Sequence, residues 1–373
     1  MDVGGARAAS PGPLRAVELI RVRLPLVRPF RSATAEVRTK EALLVHVLAD
    51  GVDGWGECGA QTEPTYRGET VDSARLVLRD HFLPRVFAGR SLADVRGNEF
   101  ARAALETALL DTRLRAEGRS LASYLGARRE RVAAGVAIGM SDDVGELREL
   151  AATYVQAGYR RLKCKIAPGA DLAPLAAVRA AVGADIALQA DANGSYTEND
   201  RDALAALDDL GLQCVEQPLP PDALVAHADL AHAIATPICL DETITSARVA
   251  DEASRIRACR VVNVKVGRVG GIARAVAVHD VCRARGVDAL VGGMLETGVG
   301  RAVNVALAAL PGFTLTGDLS ASDRYFATDL TEPFVLAPDG TLAVPDGPGI
   351  GVTPLPDVLA AHTVAREVLV PGR

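Results

Sequence analysis

RRLKCKI at residues 160–166 and DIALQAD at 185–191 decide how this chain is read. Each is a short apolar run that meets ionisable residues near its end: Lys163 and Lys165 in the first, Asp191 in the second. The pattern continues with Glu216 in LQCVEQP (212–218), Asp241 in PICLDE (237–242) and Lys265 in RVVNVKV (260–266). From Lys165 onward the intervals are 26, 25, 25 and 24 residues. One strand, one helix and two short loops fill such an interval. The repeat is therefore the period of successive βα units, with a charge at the C-terminal end of each strand.

That period predicts an α/β fold with a (β/α)8-type barrel, whose active site lies at the C-terminal ends of its strands. Neighbouring strands run about 4.8 Å apart, so Asp191, Glu216 and Asp241 on consecutive strands point into one small volume. Carboxylates crowded there repel each other unless a cation sits between them. A hard divalent ion with oxygen ligands, Mg2+, suits that donor set. Lys165 stands one strand before the trio and Lys265 one strand after it, on opposite sides of an eight-stranded ring. Two opposed ammonium groups beside a metal suit proton abstraction next to a carboxylate. The metal holds the substrate carboxylate and stabilises the enediolate, while a lysine takes the proton. Period two turns both Lys163 and Lys165 toward the barrel axis. Lys163 is then placed to hold the substrate carboxylate. The crowd of positive charges should make Lys165 lose its proton more readily, as a general base must. Singly, each of these residues reads as well as a strand-end charge with a local partner; five in register do not.

At 373 residues the chain exceeds one barrel, typically about 250 residues, and leaves room for a second domain. An apolar fraction of 49% and a charged fraction of 24% are those of a soluble globular protein. The net charge of −6 is interspersed, with no basic stripe, which argues against a nucleic-acid partner. No apolar run is long enough to cross a membrane. MDVGGARAASPGPLR lacks the apolar core of a secretory signal and reads as a flexible tail over residues 1–13. Cys58, Cys164, Cys214, Cys239, Cys259 and Cys282 form no C-x-x-C pair and read as small core residues in a reducing cytoplasm.

Residues 14–130 read as an α+β domain. Strands are expected over 16–28 and 42–50 and from 54, with a polar connection over 29–40. A helix over 70–87 should break near Pro84, and another should start near Asn98. The barrel is assigned to 131–320, opening with AAGVAIGM (133–140) and closing with an eighth strand in FTLTGD (313–318). Residues 321–373 should fold back on the first domain. Asn193, in the turn after Asp191, is placed to support the metal site. Glu242 should point away from it, since it neighbours Asp241 in a strand. GRVGG (267–271) reads as a tight turn, because no GK[ST] follows it.

KCKIAPG (163–169), DANGSYT (191–197), VEQPL (215–219), LDET (240–243), NVKVGRVGG (263–271) and GGMLETGVGRA (292–302) occur in that order. The ordered set resembles the enolase superfamily, muconate-lactonizing subgroup. Within it, the stretch 295–330 resembles the o-succinylbenzoate synthase and N-acylamino acid racemase family. The resemblance runs from about residue 14 through nearly the whole chain. It implies Mg2+ on Asp191, Glu216 and Asp241, with Lys165 and Lys265 catalytic. Substrate contacts would come from Lys163, Arg268, Gly293, Met294, Tyr66 and Tyr325. A capping domain would close the barrel mouth with loops 29–40 and 57–68, around a small carboxylate substrate. A homo-oligomer, dimer or octamer, is implied as well.

As a synthase of menaquinone biosynthesis, Lys165 would remove the α-proton and then protonate the departing hydroxyl on the same face, with Lys265 remaining cationic. As a racemase, the two lysines would alternate as acid and base, and Arg268 resembles members able to racemise. Muconate cycloisomerase and dipeptide epimerase rank lower, because SASDRYFATDL (320–330) sets this chain apart from them. A barrel that binds without catalysing is opposed by the complete set of charged residues. The chain departs from many relatives at Ser32, Ala33 and Thr34, where an aromatic is frequent, and at Ala137, where a hydroxyl is.

Overall fold

The computed structural model describes residues 12–372, so the tail expected over 1–13 lies almost wholly outside the described residues. Alternating apolar residues from Leu14 onward build three antiparallel strands: β1 (Leu14–Arg31), β2 (Glu36–Ala49) and β3 (Val52–Cys58). The connection expected over 29–40 is mostly strand. Phe30 pairs with Val37 and Arg31 with Glu36, so only residues 32–35 turn. This hairpin tip is half-exposed on both faces, so no apolar alternation marks it in the sequence. The helix Glu99–Ala116 covers the sheet, and Phe82, Phe100 and Leu105 pack there against Leu19, Leu43 and Val45. Upstream, the helical segment Val71–Phe87 widens into a π turn at Leu78–Phe82 rather than breaking at Pro84.

A short strand, β4 (Arg131–Ala133), precedes the barrel. Then come β5 (Gly135–Ile138), β6 (Arg161–Lys165), β7 (Ala187–Asp191), β8 (Cys214–Glu216), β9 (Ile238–Leu240), β10 (Val261–Val264) and β11 (Asp288–Val291). These seven form one parallel sheet in sequence order. Buried apolar side chains fill the space between the sheet and its outer helices, Leu162, Leu188 and Val262 among them.

The eighth strand expected at 313–318 is not a regular strand. The segment closes the ring irregularly: Leu315 N donates to Ala289 O at 3.2 Å and Asp318 N to Val291 O at 2.9 Å. On its other side Gly135 N donates to Leu319 O at 3.1 Å. Gly317 runs so close to the main chain of Val291 that a Cβ there would collide with it. Such a close approach leaves no room for a standard ladder.

Beyond the barrel, β12 (Thr341–Ala343) pairs with β4, and β13 (Thr363–Leu369) returns to lie antiparallel against β1. The first sheet therefore has the order β13-β1-β2-β3. All six cysteines are free and buried. No helix among the described residues is long and apolar enough to cross a membrane.

Candidate active site

Parallel register sets the charges side by side. Lys165 faces Asp191 across β6 and β7, and Asp191 faces Glu216 across β7 and β8. Asp241 and Lys265 each follow the last residue of their strands, β9 and β10. Lys165 Nζ donates to Asp191 Oδ2 and to Asn193 Oδ1, both at 2.7 Å. Lys265 Nζ donates to Asp241 Oδ2 at 2.8 Å. Lys163 Nζ lies 2.5 Å from Asp318 Oδ2, 3.0 Å from Asp191 Oδ2 and 3.1 Å from Glu216 Oε2.

Apart from the half-buried Lys165 and Asn193 these groups are buried, which makes each charge depend on its partners. Burial opposes the charge on Lys163, but Asp318, Glu216 and Asp191 outweigh it and hold the pKa well above the ordinary lysine value. Burial likewise opposes the charge on Lys265, and Tyr66, Glu242, Glu216 and Asp191 outweigh it. For Asp191, burial is overcome by Lys165 and Lys163, so its pKa is depressed. Glu216 is raised, by burial first and by its neighbour Asp191 second.

The lysine heads form the floor of a cavity with about 1030 Å³ of atom-free space, part of it open to solvent. Lys163, Lys165, Lys265, Asn193, Gly293, Met294, Tyr66 and Tyr325 all line it. The first domain contributes Phe30, Ser32 and Thr34 from the hairpin tip, and Gln61 and Thr62 from the loop after β3. Asp191, Glu216 and Asp241 lie beneath the lysines. Arg268, expected to touch substrate, does not line this cavity. It is 1% exposed and stands behind Asp241, its Nη1 paired with Asp241 Oδ1 and its Nη2 donating to Asn263 O at 2.5 Å. Tyr66 joins the two layers. Its hydroxyl donates to Asp241 Oδ1 and accepts from Arg268 Nη1, each at 3.1 Å, and its ring lies 4.6 Å from Lys265 Nζ.

Three site residues escape the sequence reading. Asp318 joins the floor from the irregular segment and bonds both Lys163 and Arg161, the latter at 2.5 Å. Its position as the last residue of FTLTGD is the same strand-end signal that marks the other carboxylates. Asn263, two residues before Lys265, donates to Glu216 Oε1 at 2.8 Å, as period two would suggest. Glu242 does not point away. β9 ends at Leu240, so strand alternation no longer separates Asp241 from Glu242. Asn193 Nδ2 donates to Glu242 Oε1 at 2.9 Å, and Glu242 Oε2 is buried without a hydrogen-bond partner.

Among the described residues no three His, Cys, Asp or Glu side chains converge as a metal-ligating group. Ammonium groups stand at the carboxylates instead. The donor chemistry nevertheless fits a hard divalent cation: buried carboxylates on adjoining strands, no sulfur or imidazole, and an orphaned oxygen on Glu242.

Residues 15–126 match the mandelate racemase / muconate lactonizing enzyme N-terminal domain, and residues 146–358 match the enolase C-terminal domain-like family. An N-succinylamino acid racemase of Amycolatopsis sp is 48% identical over 95% of this chain and 98% of its own length. An o-succinylbenzoate synthase of Geobacillus stearothermophilus is 42% identical over 90% of this chain and 92% of its own. A solved enolase-superfamily member from Listeria innocua superposes with a TM-score of 0.90 at 38% identity, covering 96% of this chain and 100% of that one.

Proposed function

Because the chain belongs to the enolase superfamily, in its mandelate racemase and muconate lactonizing enzyme branch, we propose that it is an o-succinylbenzoate synthase. Its reaction would be a Mg2+-dependent syn-dehydration in menaquinone biosynthesis. The observation that carries the reading is the pair Lys165 and Lys265. Both line one cavity, from β6 and from the end of β10, each on its own carboxylate. When bound, Mg2+ on Asp191, Glu216 and Asp241 would hold the substrate carboxylate and disperse the negative charge that builds on it.

The chain's own groups account for the rest. Asn193 and Asp191 fix the Lys165 ammonium from two sides. Lys165 takes the α-proton on its face and returns a proton to the departing hydroxyl, so loss of water is syn. Lys265 keeps its proton, held by Asp241 and the Tyr66 ring, and acts through its charge. Lys163 presents a second positive charge to the substrate carboxylate. Phe30, Tyr66 and Tyr325 supply the apolar walls that exclude water.

Racemisation of N-succinylamino acids in the same site is the second reading. Lys265 also reaches the cavity wall, so the opposite face of the α-carbon has its own acid or base. Relatives of both names support one proton-abstraction step serving two outcomes. The same reading makes the protein a cytoplasmic homo-oligomer. Residues 14–130 with 321–373 would form its cap, and 131–320 its barrel.

The test is NMR of α-proton exchange in D2O with and without Mg2+, together with dehydration measured on the synthase substrate. Mg2+-dependent exchange is expected. A protein that binds Mg2+ yet exchanges no α-proton on any carboxylate substrate is a binding barrel, and the proposal fails.

A further inference from the structure

The floor cations Lys163, Lys165 and Lys265, and Arg268 behind them, are each within ion-pair distance of a carboxylate. Lys40, on β2, is different. It is 4% exposed and lines the same cavity. Its Nζ donates to the main-chain oxygens of Met294 at 3.1 Å and Gly59 at 3.4 Å. Among the described residues it makes no salt bridge with a carboxylate. An ammonium carries three donors, so one is left without an acceptor. Carbonyl oxygens satisfy hydrogen bonds but do not neutralise a full charge, and a buried charge without a counter-charge is unfavourable.

The charge of the neighbouring carboxylate acts on Lys40 through space, but the two make no ion pair. Glu57 feels the Lys40 charge, but its oxygens are taken by Thr297 N, Thr297 Oγ1 and Gly300 N at 3.1, 2.7 and 2.9 Å. Arg301, the other wall cation without a carboxylate, donates through its terminal nitrogens to Ser320 O and Glu296 O, and its Nε is fully buried, so it has no donor to offer at the Lys40 seam. Lys40 thus offers the cavity a charge and a free donor at the seam between the two domains. Gly293 and Met294 form the wall that leads there from the floor.

We infer that Lys40 anchors a second carboxylate of the substrate, the one that ends its succinyl group. This rests on the functional reading above and names the residue that reads the distal carboxylate of its succinyl-bearing substrates. The α-carboxylate lies at the lysine floor. The acyl chain runs along Gly293 and Met294, and the distal carboxylate takes the free N–H of Lys40. A neutral acyl group of similar size leaves that charge unmatched and binds less well.

The experiment compares one amino acid carrying an N-succinyl or an N-acetyl group, with α-proton exchange as the readout. Wild type is measured beside Lys40→Met and beside Lys40→Gln, which keeps a donor for Met294 O while removing the charge. The succinyl-to-acetyl ratio of kcat/KM should fall at least tenfold in both variants, mainly through KM, and Lys40→Arg should restore part of it. An unchanged ratio, with both substrates slowed alike, makes Lys40 a mere tie between Gly59 and Met294 and overturns the inference alone. If wild type neither exchanges these substrates nor dehydrates the synthase substrate, the functional reading falls and the anchor falls with it; dehydration without exchange moves the same Lys40 variants to the synthase substrate, where an unchanged KM overturns the anchor.

Discussion

Asp318 Oδ2 meets Lys163 Nζ at 2.5 Å although β5 runs between the segments that carry them. The two can meet because β5 is narrow at that level. Gly135 lies beside Arg161 and Ala137 beside Lys163. A methyl group on Gly135 would press against Arg161 Cδ at 2.9 Å. Lys163 and Arg161 thus reach past small residues to one buried acid, which their charges hold ionised against its burial. Ala137 is part of that passage.

We predict that Asp318→Asn, which takes from buried Arg161 its one carboxylate partner among the described residues and from Lys163 its shortest, costs about 3–5 kcal/mol of stability. Arg161→Met added to it should recover part of the loss. Urea titrations of the two variants measure this. Equal stability of Asp318→Asn and wild type would show that the carboxylate is not a needed counter-charge.

The two catalytic lysines should separate by face. Lys265→Arg keeps a cation but makes a poor base at neutral pH. We predict that it stops racemisation from both enantiomers, while Lys165 still exchanges the α-proton of the enantiomer facing it. Lys165→Arg should give the mirror pattern and should also stop dehydration. NMR in D2O with each N-succinylamino acid enantiomer reads both. Wild-type exchange of both enantiomers by Lys265→Arg would refute the opposed-lysine assignment.

The metal reading predicts that Glu216→Gln, with one ligand charge removed, loses activity at ordinary Mg2+ and binds Mg2+ at least tenfold more weakly by calorimetry. Its motivation is the buried row Asp191–Glu216 on adjoining strands. Full wild-type activity in excess EDTA is the result that would sink it.

Glu57 gives a pH dependence outside the floor. It caps the helix Gly298–Ala308 from the other domain. Burial raises its carboxyl from 4.5 to about 7, with Lys40 opposing and Glu296 adding to the rise. A raised carboxyl binds its proton more tightly in the folded state. Its stabilising contribution is therefore complete below 4.5 and is lost as pH climbs through about 7. We predict that wild type loses stability relative to Glu57→Gln between pH 5 and pH 8, by up to about 3 kcal/mol. Parallel pH profiles of Tm for the two proteins would contradict this.

Residues 32–35 carry Ser32 and Thr34 into the cavity from the hairpin tip. Replacing them with an aromatic-bearing turn should shift kcat/KM among substrates by about tenfold, toward smaller side chains, as loss of apolar pocket volume does. α-Proton exchange on the smallest substrate should persist. An unchanged preference would remove this turn from substrate selection.

Much of this site is written in the sequence as a period. Lys165, Asp191, Glu216, Asp241 and Lys265 recur because each βα unit has nearly the same length, and that length can be counted. What alternation alone cannot carry is what happens where a strand stops. Glu242 turns inward because β9 has already ended at Leu240. Asp318 sits on a segment whose bonding is set by contact with β11 and β5, not by its own pattern. Arg268 looks like a loop arginine in GRVGG, and only the packing of Tyr66 and Asp241 around it makes it part of the buried network. The hairpin tip is legible only through its pairing, since both of its faces are wet.

The pairing of β13 with β1 bears on how the chain is made. More than three hundred residues separate Val17 from its partner Leu369. During synthesis β1 leaves the ribosome early and must wait, with one edge unpaired, while the entire barrel is translated. An open edge is an invitation to a neighbouring chain. The barrel can close around its own hydrogen bonds before that edge is sealed. Shortening the chain before Thr363 would therefore leave the fold most exposed to misassembly at its oldest strand, far from every residue that does chemistry.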